Sequence, residues 1–428
     1  MSVINKLRDK LHYFGDMSNL HGVGHVLSTS HVPAIKRCFW AAILLACCIG
    51  AGTILKSSLE LFATDAASYS VLTDYLEWDT PFPAVTVCEQ SDTGRAKMYL
   101  NQTNQPSSLQ TFYKEVAFWN VNYCRVCNTC RMNETCVENF IESVRRIRLK
   151  CTELLSDCWF GGIHFKCCDK FHKIQTEYGS CFVFNSAVIN STLLTVNRRV
   201  GLPTLEFSAK ELVGMRIHAP EETVSATMEN ILGRAASLPL VTKFDVILKV
   251  EQTVNDASVN SISPAARGCL FAHETPGFEG WPFNRYTYSS CLLYCRGQAQ
   301  DSLCNCTHHF LADIVKIPAC DVEGLACLYQ NKDHILKFKC NCPMACEDIQ
   351  YKVVHVFFDR VAKAPSGVSQ VTRARVRLAQ LPTLRVRRFA IRDKLGLAVD
   401  IGGVGGVFFG ASLLSVIEIV YLFCVRKN

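Results

Sequence analysis

The sequence predicts an α+β membrane protein in which two transmembrane helices flank one large, disulfide-rich extracellular domain, and three observations lead there. Two apolar segments lie near the ends of the 428-residue chain, CFWAAILLACCIGAGTIL at 38–55 and IGGVGGVFFGASLLSVI at 401–417. Twenty of the 24 cysteines fall between Cys88 and Cys346. Four N-x-S/T sequons, at Asn101, Asn133, Asn190 and Asn305, fall in the same interval.

A helix rises 1.5 Å per residue, so about 20 residues cross the hydrocarbon core, and each apolar segment reaches that length with its flanks. A cleaved signal fits the first segment poorly, because 37 residues precede it and Lys36 and Arg37 abut it. Lys36 and Arg37 before the first span, with Arg426 and Lys427 after the second, place both termini in the cytoplasm by the positive-inside rule. The expected plan is a cytoplasmic N-terminus (1–37), helix 1 (38–62), an extracellular domain (63–395), helix 2 (396–425) and a cytoplasmic C-terminus (426–428), in the plasma membrane. An even number of cysteines outside the cell implies disulfides.

The net charge of +7 is modest, and the basic residues lack aromatic interleaving, which gives nucleic-acid binding no support. No G-x-S-x-G, H-E-x-x-H or phosphate loop is present, so no enzyme and no cofactor are expected. Cys124, Cys127 and Cys130, or Cys304, Cys306, His308 and His309, have spacing that zinc would accept, but compartment favours disulfides and no metal is expected.

Within the extracellular region, a β-branched run at 84–88 follows Pro81 and Pro83 and reads as a strand, as do SCFVFN and the alternating VTKFDVILKVEQTV. Eight cysteines from Cys124 to Cys168 sit in a polar stretch, implying a stapled subdomain with little core of its own. Farther on, Cys291 and Cys295 are spaced i, i+4 and would share a helix face, while Cys340 and Cys342 would share a face of extended chain. A helix cross-linked in rungs to a returning segment follows.

These residues resemble the degenerin and epithelial sodium channel family, which includes the acid-sensing channels, nearly end to end. FPAVTVC at 82–88, EYGSCFVFN at 177–185, RGCLFAHE from Arg267, YSSCLLYCR from Tyr288 and CNCPMACEDIQY from Cys340 carry the resemblance. So do the pair His21-Gly22, similar to the family's gating dipeptide, and Gly410-Ala411-Ser412, similar to its G-x-S selectivity filter. The ending GASLLSVIEIVYLF is most similar to the insect pickpocket branch. The resemblance implies a trimer, homomeric or built with related subunits, each subunit comprising palm, knuckle, finger, thumb and β-ball above two helices. It implies the disulfides Cys88–Cys181, Cys269–Cys346, Cys291–Cys342, Cys295–Cys340, Cys304–Cys327 and Cys306–Cys320, and leaves the eight finger cysteines open. The function it implies is a sodium-selective cation channel of amiloride-sensitive type, opened by an extracellular stimulus that an extracellular ligand could supply.

The second apolar segment suits that function. Glycine at positions 402, 403, 405, 406 and 410 weakens helix, so this stretch can unwind and expose carbonyls, which membrane depth tolerates only against water or protein. Carbonyls can replace an ion's hydration shell. Close packing of helices also explains glycines at i, i+4. Asp400 and Glu418 would become acidic rings in a threefold assembly and attract cations, although Asp400 also fits a helix cap. Val399, just before Asp400, stands where the family usually has a small residue near its extracellular gate. Arg373, Arg375, Arg377, Arg385, Arg387, Arg388, Arg392 and Lys394 run against a cation vestibule; the first five alternate and are expected on a solvated strand face. The rival reading is a two-pass receptor or adhesion protein without conduction.

Overall fold

The computed structural model describes residues 12–27, 33–64, 67–73, 78–91, 94–118, 124–232, 242–360, 372–391 and 394–421. Contacts divide the chain into two units: 1–70 with 255–268 and 388–428, and 71–254 with 269–387.

The second unit is built on strands β1 (Ala84–Glu89), β2 (Leu155–Phe160), β3 (Ile163–Phe165), β4 (Phe171–Thr176), β5 (Gly179–Phe184), β6 (Leu205–Ala209), β7 (Val213–His218), β8 (Thr242–Asn255), β9 (Asp348–Arg360) and β10 (Thr372–Leu378). Six of the eight strands of one sheet run β9-β8-β10-β6-β2-β3, with β8 and β10 parallel and the other pairs among these six antiparallel. The other runs β7-β1-β5-β4, antiparallel throughout. Every residue of β1 is buried, which is why its apolar run does not alternate. Phe82, Phe171, Phe184, Phe207, Val246 and Val376 fill the core these strands share.

The basic run is resolved by strand register. Arg373, Arg375 and Arg377 on β10 meet Asp157 at 3.3 Å, Glu206 at 3.0 Å and Asp245 at 3.3 Å on β2, β6 and β8. Such half-exposed pairs contribute about 0–1 kcal/mol each, but they cancel the charge. Arg385 stacks on Trp78 with 4.3 Å to the ring centroid and donates to the Asp79 carbonyl at 3.0 Å. Arg392 and the Lys394 side chain lie outside the described residues.

The expectation of a cysteine-stapled subdomain with little core is corrected. Leu100, Phe112, Tyr113, Phe140, Val144 and Ile147 form a buried cluster, joined by Leu325 and Leu328 of the Val322–Gln330 helix. The helices Arg95–Gln102 and Gln110–Ala117, which precede the cysteines, supply much of it. Arg148 ties this cluster to the β4–β5 turn: its buried guanidinium lies 3.7 Å from the buried Glu89 carboxylate and donates to the carbonyls of Ala117, Tyr178 and Ser180. Burial pushes the Glu89 carboxyl up and the Arg148 guanidinium down, so the pair resists being charged even as it attracts.

Disulfides join Cys88–Cys181, Cys269–Cys346, Cys291–Cys342, Cys295–Cys340, Cys304–Cys327 and Cys306–Cys320. The remaining eight pair locally, as Cys124–Cys127, Cys130–Cys136, Cys151–Cys168 and Cys158–Cys167. The Tyr288–Cys304 helix carries the nested rungs and is started by Thr287, whose Oγ1 accepts from the Ser290 amide at 3.1 Å.

The first unit holds the long apolar helix Ala34–Thr64 and two helical pieces, Lys394–Phe409 and Leu413–Val420. By length and composition the first helix could cross a membrane; the two pieces, bent by 82° at the break, pass the same test only when taken together, as a broken span or a re-entrant loop. Asp256 and Ser258 fasten the 255–268 segment to Arg388 and Ala390 through backbone groups at 2.8 and 3.1 Å.

Candidate functional site

The helix ends at Phe409, and Gly410 takes the left-handed conformation, φ +63°, that commonly terminates helices. Its amide still bonds the Gly406 carbonyl at 2.9 Å, and Ala411 bonds Gly405 at 3.2 Å. Ser412 then starts the next helix: its Oγ accepts from the Ser415 amide at 3.3 Å, and the Ser415 hydroxyl accepts from the Ser412 amide at 3.2 Å. Gly410, Ala411 and Ser412 are therefore the whole break. Gly402, Gly403, Gly405 and Gly406 remain helical, so the unwinding that the glycine run allows is confined to its end.

The carbonyl that the break releases is taken by a residue from the other end of the sequence. His21 donates its amide to Phe409 O at 3.0 Å. Its ring lies over Gly410 so closely that a Cβ there would stand 2.1 Å from His21 Nδ1. Gly22 follows at φ +83°, wedged where a Cβ would meet Leu44 at 3.3 Å and Trp40 at 3.4 Å. The short helix Val23–Leu27 continues along the first long helix, with His25 stacked on Trp40 at 4.9 Å. The two motifs singled out in the sequence are thus in contact.

Asn19 was not legible as part of this site. Its Nδ2 donates to Glu418 Oε1 at 3.5 Å, and Glu418 is exposed on the short helix. Asp400 is half-buried on the longer piece, and Val399 beside it is 64% exposed. The two helices are in contact at Gly50, where a Cβ would meet Phe408 Cε1 at 2.9 Å, whereas Gly402 and Gly403 have open space. All four sequon asparagines are exposed. Among the described residues no group of three or more His, Cys, Asp or Glu is arranged to hold a metal ion.

The chain combines a large disulfide-stapled unit with a unit of apolar helices that includes a break at a Gly-Ala-Ser triplet, and comparison with known proteins names the class and the family. The family described as amiloride-sensitive sodium channel matches residues 14–422, and the chain belongs to it. The chain is 26% identical to the sodium channel protein Nach of Drosophila virilis, over 67% of this chain and 80% of that protein. It is 22% identical to pickpocket protein 19 of Drosophila melanogaster, over 97% and 91%. It is 24% identical to the human bile acid-sensitive ion channel, over 96% and 85%. This is a family of ion channels, not of enzymes.

Proposed function

We propose that this chain is one subunit of a trimeric, sodium-selective cation channel of the plasma membrane, with two spans, both termini cytoplasmic and block by amiloride. The observation that carries it is the His21-Gly22 turn seated on the Gly410 break. A helix interrupted at membrane depth needs partners for its freed backbone groups, and this one takes one partner from the turn and one from the Val416 amide, which donates to the Ser412 carbonyl at 3.3 Å, while leaving the Ala411 carbonyl for ions. Asp400 and Glu418 supply acid on either side of the triplet, and the open faces of Gly402 and Gly403 give neighbouring copies room for close approach. The relatives named sodium channel support sodium as the ion.

Expression of the chain alone and with related subunits, followed by whole-cell recording during acid, shear and ligand application, tests the reading. A current that vanishes on sodium replacement and is blocked by amiloride supports it. Surface protein without current in every combination leaves the receptor reading in its place.

A further inference from the structure

The Tyr288–Cys304 helix presents Leu292, Arg296, Ala299 and Gln300, spaced for one face, to a cavity of about 420 Å³. The Glu177–Tyr178 turn and the Ala226–Thr227 pair close another side. Leu311, Ile335, Leu336 and Phe338 make the remaining wall apolar. The volume lies in the range of sites that enclose small organic ligands.

The polar end of this cavity is unequal in its capacities. Glu177 is buried, and both its oxygens are engaged, one by Arg296 Nη1 and the other by the Ala226 amide at 2.5 Å. A guanidinium has five N–H donors, and Arg296 directs one nitrogen at Glu177 while its side chain lines the cavity. Burial, with His309 alongside, holds the His308 imidazole neutral, well below its ordinary pKa. The remaining N–H donors of Arg296 carry positive charge, and Gln300, whose oxygen is taken by Thr307 and the His308 amide, lines the cavity beside them, next to a wall of leucine, isoleucine and phenylalanine.

We propose that this cavity binds a small amphipathic carboxylate, its head paired with Arg296 and its apolar body against Leu292, Leu311, Ile335 and Phe338. An acceptor with two oxygens suits the guanidinium fork, and an ammonium head would meet it as a like charge. Such an occupant touches both the disulfide-laddered helix and the Glu177 turn, adding a second link beside the Glu177–Arg296 pair.

The test is calorimetric titration of the purified full chain in lipid nanodiscs with 4-phenylbutyrate and with 4-phenylbutylamine, empty nanodiscs serving as the blank. Arg296→Gln removes the fork but leaves Glu177 buried without it, so Leu336→Trp is the second variant. Leu336 is 60% exposed at the cavity edge, and tryptophan there narrows the space without touching the ion pair. Saturable carboxylate binding at least about tenfold tighter than that of the amine, and weakened at least about tenfold by each variant, supports the site. Equal affinity for acid and amine, affinity unchanged in Leu336→Trp, or no saturable carboxylate binding overturns it. Because binding is read without current, the result stands apart from any failure of conduction.

Discussion

His21 and Gly410 touch: the histidine ring occupies the space a Cβ on the glycine would need, 2.1 Å from Nδ1, while its amide holds the neighbouring Phe409 carbonyl. Gly410→Ala must therefore displace the turn as well as strain a backbone at φ +63°. Macroscopic current should fall and the sodium-to-potassium permeability ratio should drop. His21→Ala alone removes the ring, so Gly410→Ala with His21→Ala should recover part of the current lost in Gly410→Ala. Reversal potentials and current per surface channel in the three variants decide; no recovery in the double variant means the steric link is wrong.

Gly22 is a separate lever on the same turn. At φ +83°, with Leu44 and Trp40 within 3.4 Å of any Cβ, serine would be strained by about 1–3 kcal/mol. Open probability in Gly22→Ser should fall about tenfold for each 1.4 kcal/mol of bias, with surface abundance unchanged. Single-channel recording with surface biotinylation measures both.

The rungs Cys291–Cys342 and Cys295–Cys340 tie one helix to an irregular extended segment. Loss of a native disulfide typically costs about 2–5 kcal/mol, so Cys291→Ser should reduce surface delivery. Cys342→Ser should do the same, and the double variant should be no worse than either, since one bond is lost in all three. Additive losses would argue that each cysteine has another role.

The legible parts of the molecule were those carried by local pattern. The i, i+4 cysteines of the ladder helix, the β-branched runs of β1 and β8 and the apolar ends all announce themselves within a few residues. What pairs across distance did not. The period of two in Arg373, Arg375 and Arg377 puts them on one face, but Asp157, Glu206 and Asp245 come from three other strands, set by sheet order. Glycine-rich sequence allows unwinding anywhere along 402–410, yet of these glycines only Gly410 leaves the helix, because propensity lowers the cost of a break without locating it. Asn19 carries no signal in spacing or type that would direct it to Glu418.

Stability should depend on pH through Glu222. Burial, with Asp348 and Glu221 nearby, pushes its carboxyl from 4.5 up to about 7. A raised folded-state value means the folded chain binds more protons than the unfolded one between these limits, so stability falls as pH rises through that window and is unaffected below it. Glu222→Gln removes the penalty and should stabilise by on the order of 3 kcal/mol near pH 8 and by little near pH 4.5. His218, held down to about 4 by burial, acts in the opposite sense below its unfolded value, but it is common to both proteins and cancels in the difference. Thermal unfolding of the two proteins at both pH values checks this; an equal gain at both would assign the effect to packing.

Val399 precedes Gly402, Gly403, Gly406 and Gly410 at helical spacing, so these residues form one stripe on the Lys394–Phe409 helix and its end. Within the single chain the stripe is open at its Val399 end and covered at the other: Val399 is 64% exposed and nothing lies within 4 Å of a Cβ at Gly402 or Gly403, whereas His21 lies over Gly410. The first helix meets the other side, at Phe408. Lipid makes no demand for glycine, whereas neighbouring helices do, because small residues let backbones approach. In the proposed trimer the stripe then faces the other copies, and Val399 is its bulkiest member, stiff at χ1 and unable to turn aside. Three valines at a closing constriction should favour the open state; a bias of about 1.4 kcal/mol changes the open-to-closed ratio tenfold. Val399→Ala and Val399→Gly should therefore reduce resting sodium current without reducing surface protein. Resting currents equal to wild type in both variants would remove Val399 from the gate and return its stripe to the lipid.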